Sequence, residues 1–124
     1  MGGSRAISLV RTSDASACVV ALTGDHDLST VPDLQTALAD AADCDVIVDL
    51  TDTTFIDSAV LGTLLASHRD ATAAGRRWSL VVGDGSGAAV QRILELTGLG
   101  SVMAVYATRE EALQIPVAQH ERQP

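Results

Sequence analysis

The chain has 124 residues, 47 % hydrophobic and 19 % charged, the size and balance of one globular domain rather than a disordered segment. One Trp, one Tyr and one Phe leave the core aliphatic and give nucleic-acid bases almost no ring surface to stack on. Eight cations, all Arg, against sixteen carboxylates give a net charge of −8, the wrong sign for DNA, RNA or an anionic membrane.

No apolar run approaches the ~20 residues that cross a bilayer. The start, Met1-Gly2-Gly3-Ser4-Arg5-Ala6, lacks the apolar stretch of a signal peptide and has Ala where a myristoylation signal wants Ser or Thr. A cytoplasmic protein is expected, with no nucleic-acid and no membrane partner.

In chain order, Ala6 to Val10 reads as a short strand and Thr12 to Ser16 as a polar turn. Ala17 to Leu22 is a second, more buried strand, so the two form a hairpin. Gly24 to Ser29 is expected to be a loop, with His26 exposed between Asp25 and Asp27. Thr30 and Asp33 have capping-box spacing, and Val31, Leu34, Leu38 and Ala41 line one face of the helix that follows. Val46 to Leu50 is a third strand. The polar stretch Thr51 to Thr54 leads through Phe55-Ile56-Asp57-Ser58 into a second helix, where Leu61, Leu64, Leu65, His68 and Ala71 keep helical spacing.

Trp78 to Val82 is a fourth strand, and Gly83 to Gly87 a glycine-rich loop whose Ser86 is expected to cap the next helix, Val90 to Thr97. Gly98 ends that helix. Val102 to Tyr106 is the last strand, and Thr108 with Glu111 opens a short helix through Leu113, with Pro116 to stop it. The order ββαβαβαβα predicts one α/β domain over residues 6–115. It has a mostly parallel mixed sheet, an N-terminal β-hairpin, flanking helices, and flexible tails at 1–5 and 119–124.

Enzyme chemistry finds little to stand on. His26, His68 and His120 lie in a loop, on a helix face and in the tail, with no partner at metal-ligand spacing. His68 reads as a core-edge residue. No nucleophile elbow is present, and the twelve Asp and four Glu are scattered through loops. Gly83-Asp84-Gly85-Ser86-Gly87 follows a strand as a dinucleotide fingerprint does. Its spacing differs, however, and Asp84 stands where a pyrophosphate would lie. Cys18 and Cys44 read as small buried hydrophobes; 26 positions apart, they have no metal or redox spacing. Neither a catalytic residue, a metal nor a cofactor is expected.

The informative stretch runs from Val46 to Gly62. Asp57 is placed to cap the second helix, with Ser58 on its first turn, where free N–H groups and the helix dipole favour a negative group. A phosphoryl group on Ser58 would gain those partners and be opposed by Asp57. A serine that only helps to start a helix fits the same residues.

The pattern Val46-Ile47-Val48-Asp49-Leu50, then Phe55-Ile56-Asp57-Ser58-Ala59-Val60-Leu61-Gly62-Thr63-Leu64, resembles the signature of STAS domains. Upstream, Leu22-Thr23-Gly24-Asp25-His26-Asp27-Leu28-Ser29-Thr30 is similar to that family's L-x-G-E-L-D-x-x-[TS]. The resemblance runs on through Val81-Val82 and Ile93 to Leu99. A stand-alone acidic chain of this length looks most like a bacterial anti-sigma factor antagonist.

The resemblance implies a serine at position 58 that is phosphorylated by a partner anti-sigma factor with a serine-kinase domain and restored by a phosphatase. The unphosphorylated form binds that partner and frees a sigma factor. The implied partner face comprises Asp25, His26, Asp27, Ser29, Asp57, Ala59, Val60, Leu61 and Gly62. Val60 stands where the family commonly has Gly, Asp25 where it has Glu, and His26 where it has an apolar residue; Gly62 is expected to bring the helix close to its neighbour. A scaffold or regulatory subunit of a stressosome-like or lipid-transport ATPase complex, and a nucleotide-sensing module, are other roles for the same fold.

Overall fold

The computed structural model describes residues 5–113; residues 1–4, Pro116 and the expected tail at 119–124 lie outside the described residues. Ala6–Arg11 (β1) and Ala17–His26 (β2) form the expected antiparallel hairpin, with Ala6 opposite Thr23 and Arg11 opposite Cys18. Asp45–Asp49 (β3), Trp78–Val81 (β5) and Ala104–Tyr106 (β6) extend the sheet in parallel, in the order β1-β2-β3-β5-β6.

A sixth strand, Thr53–Ile56 (β4), is absent from the sequence expectation. It takes over from β3 along the upper half of β2, so β2 runs on as strand to His26 where a loop from Gly24 was expected. Polar Thr53 and Thr54 hide it from a hydrophobicity reading. Thr53 is buried because its hydroxyl donates to the Leu22 carbonyl (2.7 Å). Thr53 faces Gly24 and Phe55 faces Asp25, so Thr54 is the extra residue of a bulge, and Gly24 takes φ +85° there.

Strand alternation divides the core. Cys18, Val20 and Leu22, Val46, Val48 and Leu50, and Trp78 and Leu80 meet the helices Val31–Asp40 (α1), Ser58–Ala73 (α2) and Ala88–Thr97 (α3) through Leu34, Leu38, Val60, Leu64, Val90 and Leu94. On the reverse face Val19, Ile47 and Val81 pack against Ala112 of a short helix at 109–113 (α4) and against Tyr106. The α4 start is as expected: Glu111 N donates to Thr108 Oγ1 (3.1 Å), and Glu111 reaches back to the Ala107 N–H (3.1 Å). His68 is the core-edge residue expected, edge-on to Trp78 with ring centroids 5.5 Å apart.

Two capping expectations are corrected. Thr30 makes no side-chain cap for α1; the box lies one turn earlier, where Asp27 caps the 3-10 turn Leu28–Thr30 and Thr30 reciprocates. Ser86 does not cap α3 either. Its hydroxyl is buried and donates to the Leu50 carbonyl (2.7 Å), while Gly87 N donates to Thr53 O (2.9 Å). A Cβ at Gly85 would lie 2.9 Å from Thr51 O and one at Gly87 2.6 Å from Thr54 O, so these glycines let the loop press against the β3–β4 turn.

Asp49 anchors α4 to the sheet. Burial alone would raise its pKa, but hydrogen bonds from Thr51 Oγ1 (2.6 Å), Arg109 Nε (2.5 Å) and Thr51 N (2.9 Å) outweigh it and hold the carboxyl below the usual range. A depressed folded pKa means stability fully present above the unfolded value of about 3.9 and lost as pH falls through the lower folded value. Asp49→Asn is therefore expected to be less stable than wild type at neutral pH, with the gap closing below about pH 4. Urea melts across that range check it.

Candidate functional site

The upper ends of β2 and β4 and the first turn of α2 converge, and Asp57 joins them. Its Oδ1 accepts from Val60 N (3.0 Å), capping α2, and its Oδ2 accepts from Leu28 N (3.1 Å) in the neighbouring turn. Ser58 is the first helical residue and is exposed. The serine hydroxyl thus sits beside a carboxylate already satisfied by two backbone amides. A dianion added there would enter the positive field of the helix start and repel Asp57.

The rest of the expected face divides into surface and support. Asp25 is exposed and accepts a hydrogen bond from Thr54 Oγ1. Asp27 accepts from Ser29 Oγ (2.5 Å) and N (2.9 Å) and pairs with Arg5 (3.3 Å); the Ser29 bonds, then Arg5, hold its carboxyl low. Ser29 and Gly62 are exposed, and Ala59 and Leu61 are half-buried.

His26 is not an exposed loop residue. It is 1 % accessible: β4 pairs alongside this part of β2 and keeps it in the sheet, and the ring is turned toward Thr30. Its Nε2 donates to the Thr23 carbonyl (2.9 Å) and so carries a proton, while Nδ1 faces Thr30 Oγ1 (3.2 Å). It fills the place of an apolar residue and ties β2 to the 3-10 turn. Val60 is likewise wholly buried in the core, so its side chain supports the helix start from below and presents nothing to a partner.

Gly62 was expected to allow close helix packing, yet nothing lies within 4 Å of a Cβ built on it. An exposed helical glycine costs about 1 kcal/mol against alanine. Gly62→Ala is expected to raise stability by about that amount, read as a higher thermal midpoint.

Two contributors escaped the sequence reading. Leu28 is 69 % and Phe55 40 % exposed, large apolar side chains at the turn held by Asp57 and on the strand beside Asp25. Phe55 is the chain's single phenylalanine, and an aromatic in so aliphatic a sequence was the available signal. The face is therefore acidic with apolar points. Among the described residues no His, Cys, Asp and Glu group could hold a metal, and no helix is long and apolar enough to cross a membrane.

The family model of the STAS domain matches residues 6–112. The chain belongs to the STAS domain family. Its STAS fold is similar to that of an anti-sigma factor antagonist from Mycobacterium paratuberculosis, at 23 % identity and TM-score 0.75, covering 91 % of this chain and 96 % of that one. It is also similar to the anti-sigma factor antagonist SpoIIAA in its unphosphorylated form, at 27 % identity and TM-score 0.70, over 87 % and 93 % of the two chains. The phosphorylated form of SpoIIAA, a Bacillus cell fate determinant, gives 23 % identity and TM-score 0.65 over 87 % and 96 %. No curated protein sequence matches this STAS domain.

Proposed function

We propose that this STAS domain is an anti-sigma factor antagonist switched at Ser58. The unphosphorylated form binds an anti-sigma factor bearing a serine-kinase domain and so frees a sigma factor in the cytoplasm. Phosphate on Ser58 ends the binding, and a serine phosphatase restores it. The observation that carries the reading is an exposed Ser58 on the first turn of α2, beside an Asp57 that clamps the 3-10 turn. Likeness to a protein solved in both unphosphorylated and phosphorylated forms supports it.

The chemistry is a change of surface charge. Phosphorylation adds about −1.5 to −2 charges to a patch that already carries Asp25, Asp27 and Asp57. A partner fitted to the unmodified patch with apolar or singly compensating groups loses binding with no refolding of the domain. Asp25, Asp27, Ser29, Asp57, Ala59, Leu61 and Gly62 form the contact surface in this reading, with Leu28 and Phe55 added; His26 and Val60 hold it from beneath.

Affinity capture from the host lysate tests it, with wild-type and Ser58→Asp baits. Wild type is expected to retain a protein with a serine-kinase ATPase domain that Ser58→Asp does not. Equal capture by both baits would leave Ser58 as a helix-start residue and refute the switch.

A further inference from the structure

Outside this site one pair of nucleophilic side chains is brought together by the fold alone. Cys18 lies near the start of β2 and Cys44 just before β3, and the parallel β2–β3 pairing, with Cys18 opposite Val46, sets them side by side. Their sulfurs are 3.1 Å apart, and both are free thiols. Their separation in sequence is cancelled by the sheet register. We propose that Cys18 and Cys44 are an oxidation site that closes as an intramolecular disulfide, with hydrogen peroxide as oxidant and Cys44 as the sulfur that meets it first.

Position in the fold sets that order. Both thiols are buried, Cys18 wholly and Cys44 at 3 % exposure, but Cys44 is the one that lines a groove of about 500 Å³ between α1 and α2, with Leu38, Ala42, Ser67 and Ala71 among its walls. Arg11 Nη1 lies 2.8 Å from the Cys44 sulfur and stabilises negative charge on it; Asp43 Oδ1 is 3.4 Å away and accepts from the thiol. The Cys44 sulfur attacks one peroxide oxygen. The O–O bond breaks, and the other oxygen leaves as water with the thiol proton, giving a sulfenic acid. The Cys18 sulfur then attacks the Cys44 sulfur. The S–S bond forms as the S–O bond breaks, and a second water departs with the Cys18 proton.

Closing from 3.1 Å to a bond of about 2.05 Å needs only a small movement of the two side chains. The contact with Cys18 and burial push the Cys44 thiol up to about 11, so the oxidation is slow at neutral pH and serves as a lasting staple, not a rapid sensor. The pair lies at the opposite end of β2 from His26, about 25 Å along the strand, so the bridge stiffens the α1–β3 corner without touching the Ser58 face.

The test treats fully reduced protein with excess hydrogen peroxide and reads intact mass after denaturing alkylation. The expected product is a monomer lighter by two hydrogens, with neither cysteine alkylated, reversed by dithiothreitol and melting on the order of 10 °C higher. In Cys18→Ala the arrested sulfenic acid is expected to take dimedone at Cys44. Oxygen added to Cys44 with Cys18 still alkylatable, disulfide-linked dimers, or two intact thiols after prolonged peroxide would each overturn the proposal. Equal dimedone labelling of Cys18 in Cys44→Ala would overturn the order of attack. All these readouts use the protein alone and are independent of whether Ser58 is a switch.

Discussion

Ser58→Glu is expected to weaken binding of the captured anti-sigma partner by roughly 100-fold, about 3 kcal/mol, in titration calorimetry. The same substitution is expected to leave the thermal midpoint nearly unchanged. Ser58 is exposed, and an acid at the first helical position gains from the helix dipole about what it loses to Asp57. The two readouts separate the switch from damage to the fold. Ser58→Ala keeps the surface charge and is expected to bind like wild type.

Asp57 carries the second large effect. Asp57→Ala removes the α2 cap and the tether to Leu28 together, at an expected cost of about 1–2 kcal/mol, or roughly 3–8 °C in thermal midpoint. Asp57→Asn divides the two functions. Its amide oxygen can still accept from Val60 N, but its NH2 group then faces the Leu28 N–H and cannot accept from it. Most of the stability is expected to return in Asp57→Asn, while the Leu28 amide exchanges with solvent faster than in wild type. Partner binding is expected to be weakened in both variants, because the turn presenting Leu28 is no longer held to the start of α2. Hydrogen exchange and calorimetry on the two proteins check this.

The strands of the central sheet and the faces of the helices are readable in the sequence because their apolar spacing is regular: Val46 to Leu50, or Leu34 with Leu38, has one consistent burial solution. What escapes the sequence is set by contacts between distant segments. β4 holds only four residues and begins with two threonines, and the burial of Thr53 depends on a carbonyl of β2. His26 reads as an exposed loop residue between two aspartates until β4 pairs alongside β2 and carries the strand on to it. Ser86 has the local pattern of a cap but bonds to Leu50 instead, and Cys18 meets Cys44 only through strand register. Within the site, the Asp57-Ser58 pair at a helix start is local and was legible. Its link to Leu28 crosses 29 positions of sequence and was not.

The central claim is tested most directly by phosphate transfer. The purified domain is incubated with its captured partner and ATP, and the modified residue is mapped by tandem mass spectrometry. A single phosphate on Ser58, absent from Ser58→Ala and accompanied by release of the partner, is the predicted result. A partner that binds stably and leaves the domain unmodified, or that places its phosphate on the nearby hydroxyls of Ser29 or Thr54, would contradict it.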